Sequence, residues 1–154
     1  MEQSSVTRSL VEDFVAQKTL ALAGASRSGK KFGNTILKEL KGKGYTVHVV
    51  HPEASQIDGV PCVPSLAALP EEVGGLVLAV KPAESEKLVR EAHAAGISRI
   101  WMQQGAASGD AITYCAENGI DAVHGECLLM FVEPVQSVHS FHRWLWKIFG
   151  KLPT

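Results

Sequence analysis

The chain has 154 residues, 45% of them hydrophobic and 20% charged, with a formal net charge of -1. That size and apolar content predict one packed domain spanning residues 1–154, because a disordered chain would bury too little apolar surface to offset its conformational entropy. The near-neutral balance excludes a global field that steers toward nucleic acid or an anionic membrane, and no stretch is apolar enough for a signal peptide or a membrane span, so a cytoplasmic protein with a locally built site is expected.

In chain order, residues 6–17 place Val6, Leu10 and Phe14 at helical spacing, which predicts an N-terminal helix docked on the rest of the fold. Thr19–Ala23 is a short apolar run that stops at Gly24, a strand followed by a polar turn through Gly33. Over 34–43, Ile36, Leu37 and Leu40 share one face of a helix that Gly44 terminates. A β-branched run over 45–50 reads as the second strand and ends at His51-Pro52. After a short helical turn at 66–69, the same grammar repeats with strands at 75–80, 98–102 and 121–124, and with helices that end at Gly96 and Gly119. Strands apolar on both faces and separated by helices predict an α/β, Rossmann-like, doubly wound parallel sheet of five strands with a core over 15–130.

A last helix is expected over 138–149, with Val138, Phe141, Leu145 and Ile148 on one face. Trp144 and Trp146 fall off that stripe and need a partner, either the sheet or a second copy of the chain, so a homodimer is one expectation. Cys62, Cys115 and Cys127 are odd in number and far apart, which predicts reduced thiols rather than disulfides or a zinc cage.

Open parallel sheets bind ligands at the carboxyl ends of their strands, where the strand order reverses. The first such loop, Gly24-Ala25-Ser26-Arg27-Ser28-Gly29-Lys30-Lys31-Phe32-Gly33, leads into a helix whose free N–H groups and positive dipole end suit a phosphate; the plainer reading is a turn that only connects strand to helix. Two details depart from the dinucleotide fingerprint. Ser26 stands at its second glycine position, and His51-Pro52 replaces the acid that would accept from a ribose diol. Arg27, Lys30, Lys31 and His51 instead suit a phosphorylated ribose, as in coenzyme A or NADP, and these charges alone do not separate the two; they also fit a solvated basic loop.

Gly24-Ala-Ser-Arg27 together with Lys31-Phe-Gly-Asn34 resembles the opening of the small bacterial CoA-binding proteins. His51-Pro-Glu-Ala-Ser-Gln-Ile-Asp-Gly59 resembles that family's Asn-Pro segment, Val80-Lys81-Pro82 its third strand end and Trp101-Met-Gln-Gln-Gly105 its fourth. The family is similar to the N-terminal CoA-binding domain of the succinyl-CoA synthetase α-subunit. The resemblance implies that Gly24, Ala25, Ser26, Arg27, Lys31 and Gly33 form the phosphate loop. It also implies that His51 and Pro52 flank the adenosine end, that Val80, Lys81 and Pro82 line the adenine slot, and that Met102, Gln103 and Gln104 meet the ligand chain. His51, Lys81 and Gln104 depart from the residues usual there.

The phosphohistidine domain of that α-subunit has no room in 154 residues, so its ligase chemistry is not expected of this chain. Cys127 near His124 and Glu126, His139 with His142, and His48 with His51 form no specific catalytic or metal motif. The reading is a non-catalytic module for coenzyme A or acyl-CoA. Its rivals are a nicotinamide-dependent oxidoreductase fragment that binds NAD or NADP, and an accessory subunit that acts with a separate catalytic chain.

Overall fold

A computed structural model describes residues 8–132. The helix expected over 138–149, with its histidines and tryptophans, lies outside the described residues, as does Val6. In chain order the elements are α1 (Arg8–Val15), β1 (Thr19–Ala23), α2 (Phe32–Gly42), β2 (Thr46–Val50), β3 (Gln56–Ile57), β4 (Val60–Val63), β5 (Gly75–Leu78), α3 (Pro82–Ala94), β6 (Arg99–Gln103), α4 (Gly109–Glu117) and β7 (Asp121–Glu126).

The strands form one sheet in the order β3-β4-β2-β1-β5-β6-β7, parallel throughout except for the β3–β4 pair. The Rossmann-like, doubly wound sheet is therefore as expected, but it has seven strands rather than five. The two additional strands come from the segment after Pro52, where Asp58 (φ 50°) and Gly59 (φ 79°) form a two-residue turn that pairs Ile57 with Val60. Two successive left-handed residues match the twist of a hairpin, and Asp-Gly is the dipeptide that adopts them most readily. The resulting β4 extends the parallel sheet by pairing Val49 with Cys62 and Val50 with Val63.

Each strand feeds both faces, because successive side chains alternate. Leu20 and Leu22 of β1 join the core beneath α1 and α2 with Ile36, Leu37, Leu40 and Trp101. Ala21 and Ala23 of the same strand join the core beneath α3 and α4 with Leu78, Val89, Ala92 and Met102. The face that α1 buries carries Val11 and Phe14, with Leu10 only partly covered, so the helix is rotated relative to the expected stripe. Phe14 packs on the Trp101 ring at 5.4 Å, and Arg99 pairs with Asp13 at 2.7 Å, which fixes α1 on β6. No described helix is long and apolar enough to cross a membrane.

From β1 the chain crosses to β2 on one side, and later returns to β5 on the other. The reversal opens a crevice at the carboxyl ends of β1 and β5, the position at which such sheets bind ligands.

Candidate functional site

A cleft of about 420 Å³ fills that crevice. Its walls include Gly24, Ala25 and Lys31 from the loop after β1, His51 and Pro52 after β2, and Val80 and Lys81 after β5. Seven of the residues expected at a site thus meet in one place, brought together from three strand ends. Gly24 has φ 125°, and a Cβ there would collide with the Ala79 carbonyl. A Cβ at Gly33 would collide with the Gly24 carbonyl and the Ala25 amide. The loop therefore lies against the end of β5 on one side and against the first turn of α2 on the other, backbone against backbone, and only glycine permits the approach at each position.

Asn34, 4% exposed, holds that fold. Its Oδ1 accepts from the Ser26 amide at 2.9 Å and from the Lys31 amide at 3.3 Å, while its Nδ2 donates to the Ser26 carbonyl at 2.9 Å and to Asp58 Oδ2 at 3.1 Å. The Gly29 amide donates to the Ser26 carbonyl and the Lys30 amide to Ser28 Oγ. Among the described residues the amides of Arg27, Phe32 and Gly33 have no protein acceptor. Together with the dipole at the start of α2, they are among the donors left for an anion.

On the second wall, His51 Nδ1 accepts from the Glu53 amide at 3.0 Å and the Ala54 amide at 2.9 Å. Accepting two amides through Nδ1 makes the ring a turn former in this geometry, a role its charge alone does not suggest. A short polar side chain that caps its own turn in this way performs the task an asparagine performs in an Asx turn. Glu53, held in that turn, reaches Arg27 at 3.3 Å.

The remaining expected residues are spread further. Ser26 and Arg27 belong to the same loop without lining the cleft, and Gly33 is buried at the start of α2. Pro82 is the exposed first residue of α3. Met102 is fully buried in the core, and Gln103, 4% exposed, accepts from the Leu128 amide through Oε1 at 2.9 Å. Gln104 is the exposed member of that trio, and its Nε2 approaches the Gly125 carbonyl at 3.4 Å. Sequence reasoning did not assign Asn34, Glu53, Glu84, Lys87 or Leu88 to the site, although the last three line the cleft from α3. Their spacing along one helix wall was the available signal: positions 84, 87, 88 and 91 recur at helical period from the Val80-Lys-Pro82 turn.

Away from the cleft, burial raises the Cys115 thiol to about 11 and also raises Cys62 and the Glu126 carboxyl. A thiol held protonated in this way is a poor nucleophile.

A family model described as CoA binding domain matches residues 18–133, the greater part of the chain. The chain belongs to the CoA-binding domain family. This is the family that its loops resemble in sequence. The CoA-binding domain is 39% identical over 74 residues to acetate–CoA ligase [ADP-forming] I of Archaeoglobus fulgidus, an alignment covering 48% of this chain and 11% of that one. It thus spans about a tenth of the length of that curated relative. Among solved structures, a conserved hypothetical protein from Pyrococcus furiosus superposes with a TM-score of 0.70 at 35% identity, over 73% of this chain and 97% of that one. A dinucleotide forming acetyl-coenzyme A synthetase from Ca. Korarchaeum cryptofilum, in complex with phosphate and ADP, shares the fold with a TM-score of 0.62 at 21% identity, over 71% of this chain and 26% of that one.

Proposed function

We propose that this domain is a non-catalytic module that holds coenzyme A or an acyl-CoA by its nucleotide end. One observation carries the reading: the Arg27, Phe32 and Gly33 amides have no protein acceptor among the described residues, and they belong to the loop whose Gly24, Ala25 and Lys31 line a cleft at the strand-order reversal. Amides fixed in a rigid loop at a helix N-terminus bind phosphate oxygens without reorganising, and a nearby ammonium adds charge-assisted attraction. In this reading Gly24, Ala25, Ser26, Arg27, Lys31 and Gly33 form the phosphate cradle, in which Arg27 and Lys31 also meet the 3′-phosphate of the ribose, with Ser26 shaping it because its own amide is taken by Asn34. His51 and Pro52 flank the adenosine end, Val80, Lys81 and Pro82 border the adenine, and Gln104 meets the ligand chain, with Met102 and Gln103 supporting it from the core side.

Family membership and the His51-Pro52 pair directly at the end of β2, where the dinucleotide fingerprint has an acid, favour CoA over NAD. A second reading has one supporting observation, the partial match to the much longer acetate–CoA ligase. There the domain would present CoA to a catalytic chain supplied separately, as an accessory subunit of an acyl-CoA synthetase or transferase.

Calorimetric titration of the purified protein with CoA, dephospho-CoA, NAD, NADP and ADP tests the assignment. CoA is expected to bind tightest, and a preference for NAD or NADP would overturn it. Hydrolysis or transfer of an added acyl-CoA by the isolated protein would overturn the non-catalytic part alone.

A further inference from the structure

The phosphate loop is held by a residue on α2 that is itself held by the hairpin at the far edge of the sheet. Asn34 uses one end of its carboxamide on the loop, accepting from the Ser26 and Lys31 amides, and divides the other between the Ser26 carbonyl and Asp58 Oδ2. A carboxamide can rotate by half a turn and exchange its oxygen and nitrogen positions. The wrong orientation would aim Nδ2 at two amide donors. An acceptor opposite Nδ2 excludes it, because only with Oδ1 toward Ser26 can both ends be paired. The Ser26 carbonyl is one such acceptor and moves with the loop; Asp58 does not belong to the loop and supplies a fixed reference.

Asp58 is well anchored for this task. It occupies the first left-handed position of the β3–β4 turn, with φ 50°. Its carbonyl accepts from Lys41 Nζ at 3.2 Å, about two turns along α2 from Asn34. The hairpin tip thus touches the helix at two points, and one of them continues into the loop.

From this chain of contacts we infer that the Asp58-Gly59 hairpin tip is a positioning element for the phosphate loop, acting through the Asn34 carboxamide. The inference rests on the proposed binding of CoA for its functional consequence, but not for its structural one. Asp58 is not among the residues that line the cleft. It fixes which end of Asn34 faces the loop, and so holds the backbone that carries the Arg27, Phe32 and Gly33 amides. A hydrogen bond to an ionised acceptor is stronger than a neutral one, so the staple is firmer than the remaining loop bonds.

The test uses Asp58→Gly and Asp58→Asn in the full chain. Glycine removes the carboxylate yet accepts the left-handed backbone without strain, so the turn and the fold persist. Asparagine restores an acceptor and also tolerates that conformation. Amide hydrogen exchange at Ser26 and Lys31, read by NMR against Leu20 and Leu22 of β1, should rise about tenfold in Asp58→Gly and return toward the wild-type rate in Asp58→Asn. Affinity for CoA should fall by a similar factor in the glycine variant, while affinity for adenosine, which has no phosphate, stays unchanged. Equal exchange at Ser26 and Lys31 in the wild type and Asp58→Gly overturns the inference, as does a rise shared equally by the β1 amides. If the wild-type protein binds no CoA, the functional reading fails on its own and the exchange rates still decide the role of Asp58.

Discussion

Nη2 of Arg27 lies 3.3 Å from Oε1 of Glu53, an ion pair that bridges the phosphate loop and the turn following β2. The two side chains are 63% and 71% exposed, so solvent screens the pair and it adds little to stability. Its effect falls on binding instead, because the carboxylate neutralises a cation placed beside the anion cradle. Glu53→Gln should leave the melting temperature unchanged and tighten CoA binding by about two- to fivefold at low salt, with the gain shrinking as ionic strength rises. Titrations at two salt concentrations check this, and unchanged affinity at low salt would show that Arg27 faces away from the ligand.

Lys31 lines the cleft whereas Arg27 does not, and no carboxylate is paired with Lys31 among the described residues. Removing either cation should weaken CoA more than dephospho-CoA, since the former has one more phosphate to lose contact with. Lys31→Ala is expected to cost about tenfold for CoA, a typical loss for one charge-assisted contact, and Arg27→Ala less because Glu53 already offsets it. Parallel titration with both ligands reads the difference. Identical losses for the two would place the 3′-phosphate elsewhere.

Gly33 and Gly42 sit at opposite ends of α2 and should respond oppositely to alanine. At Gly33 the added methyl would meet the Gly24 carbonyl, a backbone group that cannot swing aside, whereas at Gly42 it would meet nothing within 4 Å. Gly33→Ala should destabilise the protein by about 1–3 kcal/mol and abolish phosphate-dependent binding, as expected of overpacking against a rigid neighbour. Gly42→Ala should raise stability by about 0.4–1 kcal/mol by restricting the unfolded chain, with binding unaltered. Urea denaturation of both variants provides the comparison.

The contrast between these two glycines also shows what the sequence could convey. Strands with apolar runs and helices with periodic ones were legible, and so was the crevice, because β-α order alone places Gly24, His51 and Val80 at strand ends on the same side of the sheet. The hairpin was not read, although Asp58-Gly59 is a strong turn signal. Its flanking strands are only two and four residues long, and Pro61 interrupts the second, so no periodicity accumulated. Asn34 was noticed only as part of a resemblance, since nothing local reveals that its partners lie 8 and 24 residues away. His51 was read by its charge, but its ring nitrogen works as a backbone acceptor, a choice made by the tight turn at Pro52 rather than by composition. Met102 and Gln103 show a different limit of resolution. A strand end can be located from sequence, yet which of its residues faces the ligand depends on the bulge between Met102 and Gln103, which shifts the register against β7.

Glu126, at the end of β7, allows a prediction that is independent of any ligand. Burial alone raises its carboxyl above the ordinary 4.5, so the folded protein disfavours the charged form more than the unfolded chain does. The sign follows from linkage: the relative stabilisation of the protonated form is fully present below the unfolded value near 4.5 and is lost as pH rises through the raised folded value. At neutral pH the ionised side chain is therefore a small liability, and Glu126→Gln, which keeps the shape and removes the charge, should be more stable than wild type. The backbone carbonyl of residue 126, which accepts from Trp101 Nε1 at 3.2 Å, is unaffected by the change. Urea denaturation at pH 7 should show the variant ahead, and the gap should close when the measurement is repeated near pH 4. A variant less stable at pH 7, or a gap that widens in acid, would mean that the carboxylate has a stabilising partner and that burial is not what governs it.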